Sequence, residues 1–124
     1  MVWAFVAIGG ALGAVSRYGL DRAIIGALGP TVLGTFLINI TGSFALGVFV
    51  AVSPGRVSWP IEARLFATVG FLGSYTTFST LAVAGAQMLD SGETTRALVN
   101  LFGSLAVGLA AAFAGILVGR ALAS

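Results

Sequence analysis

The sequence predicts an all-α integral membrane protein with four transmembrane helices, the third of them broken. Its 124 residues are 58% hydrophobic and only 8% charged, with a mean hydropathy of +1.07, whereas a soluble domain carries about 25% charged residues. Four apolar segments are long enough to cross roughly 30 Å of hydrocarbon. The polar stretch GFLGSYTTFST, residues 70–80, interrupts the third of them. Such backbone is tolerated at membrane depth only where it is buried in protein or lines a wet cavity.

Chain-breaking residues and charges delimit each predicted span. The first ends at a charged cluster that begins with Arg17, and the second follows a Gly-Pro pair. The third follows the turn SPGRVSWP, in which Trp59 is a candidate interfacial anchor, and the fourth follows the polar connector DSGETTR and is closed by Arg120. One four-helix domain, residues 1–124, therefore accounts for nearly the whole chain. The expected spans are about residues 2–18, 31–52, 61–88 and 97–118.

The residue types that are missing exclude several functions. The chain has no cysteine and no histidine, so it has no thiolate metal site, no disulfide framework and no base for a serine nucleophile. We therefore expect no enzyme, and a net charge of +2 does not indicate nucleic-acid binding. No acid is expected inside a span, which favours passive conduction over proton-coupled transport. The four acids are Asp21, Glu62, Asp90 and Glu93.

The arginines show no bias between the two sides of the membrane. Because the positive-inside bias normally sets orientation, a balanced chain predicts dual topology and an antiparallel homodimer with its two-fold axis in the membrane plane; chance balance is the alternative. The pairs Gly9/Gly13 and Gly115/Gly119 have the small-xxx-small spacing of packed membrane helices and favour oligomerisation. One side is expected to carry Arg56, Arg64 and Arg120, and the other Arg17, Arg22 and Arg96.

Polar residues repeat at four-residue spacing in the second and fourth spans, so each set shares a helical face. The sets are Thr35, Asn39 and Ser43, and Asn100, Ser104 and Gly108. The amide of Asn39 either lines an anion path as a donor or bonds a neighbouring helix. The hydroxyl of Ser104 either donates to an ion or bonds back to the carbonyl at position 100.

The third span carries the strongest signal. Gly70, Gly73 and Ser74 permit a break there, and the hydroxyls that follow can cap the freed ends. A break exposes carbonyl oxygens that suit a hard cation such as Na⁺, and N–H and O–H donors that suit an anion. Phe78 either presents its positive ring edge to an anion or faces lipid. The hydroxyl residues are Thr76, Thr77, Ser79 and Thr80.

Three motifs in order, GGALGAVSRY, GTFLINITGSF and GFLGSYTTFST (9–18, 34–44 and 70–80), resemble the CrcB, or Fluc, fluoride channels. The resemblance covers all four spans. It implies passive fluoride export across the plasma (inner) membrane of a prokaryote, which protects against fluoride toxicity. It also implies a dual-topology homodimer with two antiparallel pores and a structural Na⁺ at the dimer interface.

Roles carry over from the resemblance residue by residue. It implies that Asn39 is the pore asparagine and that the ring edge of Phe78 faces fluoride. It implies that Ser79, Thr80 and Ser104 make polar contacts along the pore, and that Arg17 attracts anions at a vestibule. It also implies that the backbone carbonyls of Gly73 and Thr76 bind Na⁺.

The chain also departs from the family. Leu81 stands where the family usually has a second phenylalanine, and Asn100 stands where it often has an aromatic residue. Gly108 stands where many members have a hydroxyl residue, and Ser74 stands where glycine is common. We expect fluoride conduction to persist with an altered rate.

Two other functions fit a small four-helix membrane protein. A multidrug exporter of this size carries a membrane-embedded glutamate in its first helix, and this first span has no acid before Asp21. A non-conducting assembly subunit would explain the glycines but not the aligned polar faces.

Overall fold

The computed structural model describes residues 1–52 and 59–124, and within these ranges all regular structure is helical. Two long helices come first: α1 spans Val2–Leu28 and α2 spans Leu33–Val52. The third segment consists of α3 (Ile61–Leu65), a π-helical segment (Phe66–Leu72), α4 (Gly73–Tyr75) and, after a break, α5 (Phe78–Asp90). The last helix, α6, spans Thr94–Ala123.

Three of these helices, α1, α2 and α6, are long and apolar enough to cross a membrane. The bent, interrupted third segment lies between α2 and α6 in sequence. The prediction of an all-helical, multi-pass membrane protein is therefore confirmed. The membrane boundaries of the four spans stay a prediction, and Arg56 lies outside the described residues.

The first helix continues past Tyr18, where the apolar run ends, through the charged cluster to Leu28. Charged residues do not interrupt the hydrogen bonds of a helix, whereas Gly29, with φ of 80°, has the positive φ that commonly terminates one. Arg17 therefore lies within α1 rather than at its end. Asp21, which we expected at a span end, also lies inside the helix, and its Oδ1 sits where a side chain on Gly34 would be.

Glycines of α1 bring it directly against the π-helical segment. A Cβ on Gly9 would collide with the carbonyl oxygen of Phe66, and one on Gly13 with the carbonyl oxygen of Phe71. The pair that we expected to favour oligomerisation therefore packs two helices of the same subunit, because close backbone approach needs residues without side chains.

The pair Gly115/Gly119 likewise packs α6 against α2. A Cβ on Gly115 would meet the carbonyl oxygen of Phe44, and one on Gly119 would lie 2.7 Å from the carbonyl oxygen of Val48. Both pairs predicted as oligomer contacts are thus occupied inside the subunit and give no support to an oligomer.

The subunit has a small apolar core and a large apolar exterior. Its buried apolar side chains are Ile38, Leu72, Met88 and Ala97. Trp3 and Phe78, by contrast, are 88% and 81% exposed. An exterior of this kind is stable in hydrocarbon rather than in water. At the start of the third segment, the ring of Trp59 packs edge-on against Phe49 of α2 at 6.1 Å.

Candidate functional site

The third segment breaks at Thr76 and Thr77, which have extended backbone with ψ of 156° and 120°. The glycines expected to form the break do not form it, since Gly70 lies in the π-helical segment and Gly73 is helical with φ of −63°. The break therefore lies within the predicted stretch, residues 70–80, but after the glycines rather than at them. The π-helical segment that leads into the break is a rare conformation that is frequent at functional sites.

Asn39 of α2 holds the break by a pair of hydrogen bonds to one residue. Its Nδ2 donates to the carbonyl oxygen of Thr77 at 3.0 Å, and the N–H of Thr77 donates to its Oδ1 at 2.8 Å. The amide thus pairs with a backbone donor and acceptor that have lost their helical partners at the break. Of the two interpretations of Asn39, the inter-helix bond is present in the structure. The amide nitrogen has a second N–H that is not used in this pair.

Side-chain hydroxyls satisfy other groups at the break. Thr76 Oγ1 donates to the carbonyl oxygen of Leu72 at 3.0 Å. Thr77 Oγ1 caps α5 by accepting the N–H of Thr80 at 3.4 Å, and it donates to Thr80 Oγ1 at 3.1 Å. The predicted capping by a hydroxyl is confirmed for Thr77. The hydroxyl of Thr76 caps no freed group, because the carbonyl of Leu72 also accepts the N–H of Thr76.

Arg17 reaches the break from α1. Its Nε donates to the carbonyl oxygen of Ser74 at 3.1 Å, across 57 residues of sequence. A guanidinium at the carboxyl end of a helix pairs with carbonyls that have lost their helical donors and opposes the negative end of the helix dipole. In this subunit Arg17 therefore stabilises the end of α4.

Gly42 allows α2 to approach the break closely. A Cβ there would collide with Thr76 Cγ2 and lie 3.1 Å from the Tyr75 ring. Tyr75 stacks on Phe71 at 5.9 Å, and its hydroxyl lies 3.0 Å from Thr41 Oγ1. We did not predict these contacts from the sequence. Gly42 is one of many glycines, and nothing in its local sequence marks the residue that it faces.

An open groove of about 500 Å³ lies beside the break, between α2, α5 and α6. Ser104, only 6% exposed, lies on it, and its hydroxyl has no hydrogen-bond partner within the described residues. The bond from Ser104 to the carbonyl at position 100, the alternative considered above, is therefore not formed. The structure brings five residues that the sequence singled out together here, and Leu81 lies with them. The five residues are Asn39, Ser43, Phe78, Ser104 and Gly108.

Two other predicted pore residues lie elsewhere. Ser79 and Thr80 line a separate groove of about 320 Å³ with Gln87, because successive residues of α5 point to different sides of the helix. Within one subunit they do not share the groove of Asn39 and Ser104.

Together these features define a small multi-pass membrane protein with an interrupted helix and a donor-lined groove, an arrangement typical of ion-conducting proteins. The family model of the CrcB-like proteins (camphor resistance, CrcB) matches residues 4–116. The chain therefore belongs to the CrcB family. This is a family of ion channels and not of enzymes.

Similar curated proteins span nearly the same length. A fluoride-specific ion channel FluC of Thermus thermophilus is 45% identical over 119 residues, which are 94% of each chain. FluC 2 of Geobacillus kaustophilus is 43% identical over 93% of this chain and 90% of its own. FluC of Nitrobacter winogradskyi is 40% identical over 98% of this chain and all of its own.

Proposed function

We propose that this chain is the subunit of a fluoride-selective channel. Fluoride leaves the cell passively through it, across the plasma (inner) membrane of a prokaryote, and the cell is thereby protected from fluoride toxicity. The observation that carries the proposal is identity of up to 45% over nearly the full length with relatives named fluoride-specific ion channels.

The groove beside the break has the chemistry that a small anion needs. Fluoride is strongly hydrated, so a pore must replace its water with hydrogen-bond donors. The free hydroxyl of Ser104 and the second amide N–H of Asn39 supply such donors without a fixed charge. The ring of Phe78, at the amino end of α5, offers its positive edge on the same groove.

The pathway is completed by a second copy in antiparallel orientation. The groove is open along the subunit, and Phe78 is 81% exposed there, so one subunit alone does not enclose an ion. In the dimer Ser79 and Thr80, on their separate groove, give polar contacts along a path. Arg17 adds positive charge near a vestibule in addition to its bond to Ser74.

A structural Na⁺ at the dimer interface fits the break. In a continuous helix the N–H of Thr77 would donate to the carbonyl of Gly73, and here it donates to Asn39 instead. The N–H of Thr80 likewise donates to Thr77 Oγ1 rather than to the carbonyl of Thr76, so the carbonyls of Gly73 and Thr76 both lack the donors of a regular helix. Carbonyl oxygens are ligands that hard cations accept. We assign Gly73 and Thr76, from both subunits, as the residues that would hold Na⁺.

The test is fluoride efflux from liposomes that contain the purified protein, followed with a fluoride electrode. Potassium and valinomycin provide the counter-current, and chloride is measured in parallel. We expect fast fluoride efflux with negligible chloride efflux. A folded protein that passes neither anion would overturn the proposal in favour of a non-conducting membrane subunit.

A further inference from the structure

Tyr75 lies at the end of α4, between the two residues whose carbonyls we assign to Na⁺, Gly73 and Thr76. No role predicted from the sequence involves its side chain. The side chain is partly buried, and its hydroxyl lies 3.0 Å from Thr41 Oγ1 on α2. Tyr75 therefore connects the backbone that would bind the ion to a neighbouring, continuous helix.

The direction of this hydrogen bond follows from the hydroxyl of Thr41. A threonine hydroxyl has a single proton. Thr41 Oγ1 donates it to its own helix, where it lies 2.8 Å from the carbonyl oxygen of Leu37 and 3.1 Å from that of Ile38. The bond between the two hydroxyls must therefore be donated by Tyr75 and accepted by Thr41. It ties the end of α4 to α2.

Two further contacts hold the ring of Tyr75. The ring stacks on Phe71, four residues earlier, at 5.9 Å and an interplanar angle of 14°. It also packs against Gly42, the residue after Thr41, where a Cβ would lie 3.1 Å from the ring. A side chain whose rotamer is restricted by packing and by a hydrogen bond holds its own backbone in place. The peptides on both sides of Tyr75 are thereby held against α2.

Other anchors act on the peptides next to the two ligand carbonyls. Arg17 donates to the carbonyl oxygen of Ser74, and Asn39 pairs with Thr77. Tyr75 lies between Ser74 and Thr77 in sequence, and its side chain adds a third anchor from a different direction. Metal affinity depends on the groups that orient the ligands as well as on the ligands.

We propose that Tyr75 is a positioning residue for Na⁺. Its hydrogen bond to Thr41 holds the two ligand carbonyls in the arrangement that binds the ion, although neither side chain touches the ion. This inference rests on the proposed function and deepens it, because it adds to the Na⁺ site a pair of residues from α4 and α2 that no local pattern of the sequence connects.

The experiment measures how Na⁺ raises the melting temperature of the full-length protein in detergent. The protein is purified without Na⁺, and N-methylglucamine keeps the ionic strength constant. Tyr75→Phe keeps the stacked ring and loses the hydrogen bond. One inter-helix hydrogen bond in a membrane corresponds to about a threefold change in an equilibrium constant. Because both subunits contribute to one ion, we expect the half-saturating Na⁺ concentration to rise about tenfold.

Substitutions of Thr41 test the same bond from the other side. Thr41→Val removes the acceptor and should reproduce the shift in Na⁺ dependence, whereas Thr41→Ser keeps the acceptor and should bind Na⁺ like the wild-type protein. Tyr18→Phe is the matched control, since it removes the hydroxyl of a tyrosine on α1 that is 66% exposed. It should leave the Na⁺ dependence unchanged.

A lower melting temperature in Tyr75→Phe with an unchanged half-saturating Na⁺ concentration would overturn the inference, because the hydroxyl would then only stabilise the packing of α4 on α2. Wild-type Na⁺ dependence in Thr41→Val would overturn it too, even where Tyr75→Phe does not fold. Both outcomes leave fluoride efflux of the wild-type protein, and so the proposed channel, intact. A wild-type protein that conducts fluoride but does not respond to Na⁺ would overturn the Na⁺ site together with this inference.

Discussion

Replacement of Asn39 tests the central contact of the fold. In Asn39→Leu both hydrogen bonds to Thr77 are lost, at 3.0 and 2.8 Å, and the N–H and carbonyl of Thr77 are left unpaired. Inter-helix hydrogen bonds in membranes contribute about 0.6 kcal/mol each, with values up to roughly 1.7. Two of them give a destabilisation of about 1–3 kcal/mol, and fluoride flux should fall because the break loses its fixed geometry.

Asn39→Asp separates packing from charge. A carboxyl group restores both contacts to Thr77 only when it is protonated, because it then has one donor and one acceptor. As a carboxylate it accepts from the N–H but opposes the carbonyl oxygen, and it places a negative charge beside the anion path. The stability of this variant should therefore increase as the pH falls, and its fluoride flux at neutral pH should be suppressed.

The measurements are thermal unfolding with size-exclusion chromatography in detergent, and fluoride efflux from liposomes. Ser43→Ala is the control, since Ser43 lines the same groove one turn along α2 and its replacement should leave the melting temperature nearly unchanged. An Asn39→Leu protein with wild-type stability would refute the reasoning about the break. Unchanged flux in Asn39→Asp would count against Asn39 as a pore residue.

Three further substitutions test the surroundings of the break. Gly42→Ala should lower the free energy of unfolding by about 1–3 kcal/mol through overpacking. Gly26→Ala should not lower it, because a Cβ on Gly26 has no neighbour within 4 Å. Thermal unfolding compares the two variants. Arg17→Gln removes a charge-assisted bond to a backbone carbonyl, so it should lower the free energy of unfolding by about 1.5–3 kcal/mol and speed hydrogen exchange near the break. A variant with unchanged stability and weaker flux only at low fluoride would instead indicate a vestibule role alone. Leu81→Phe places a second ring beside Phe78 on the groove and should change fluoride efflux by about twofold or more, since a ring edge attracts an anion and leucine does not; equal efflux would show that leucine is an adequate substitute.

Composition and spacing were enough to predict the fold class. A chain with 8% charged residues cannot cover a soluble surface, so a helical membrane protein was the consistent solution. The hydroxyl-rich stretch marked the interrupted segment for the same reason. The four-residue spacing of polar residues also placed Asn39 and Ser104 on faces that the structure brings to one groove.

Only the tertiary structure decided where the break lies and what holds it. The glycines at 70 and 73 permit a break but do not require one, whereas the side chains of Asn39 and Arg17 stabilise the interruption at Thr76 and Thr77. These contacts join residues 38 and 57 positions apart, so no local pattern reveals them. The glycine pairs of α1 and α6 likewise predicted close packing but not the element that packs there. The spacing of residues along one helix shows which of them share a face, but not which helix covers that face.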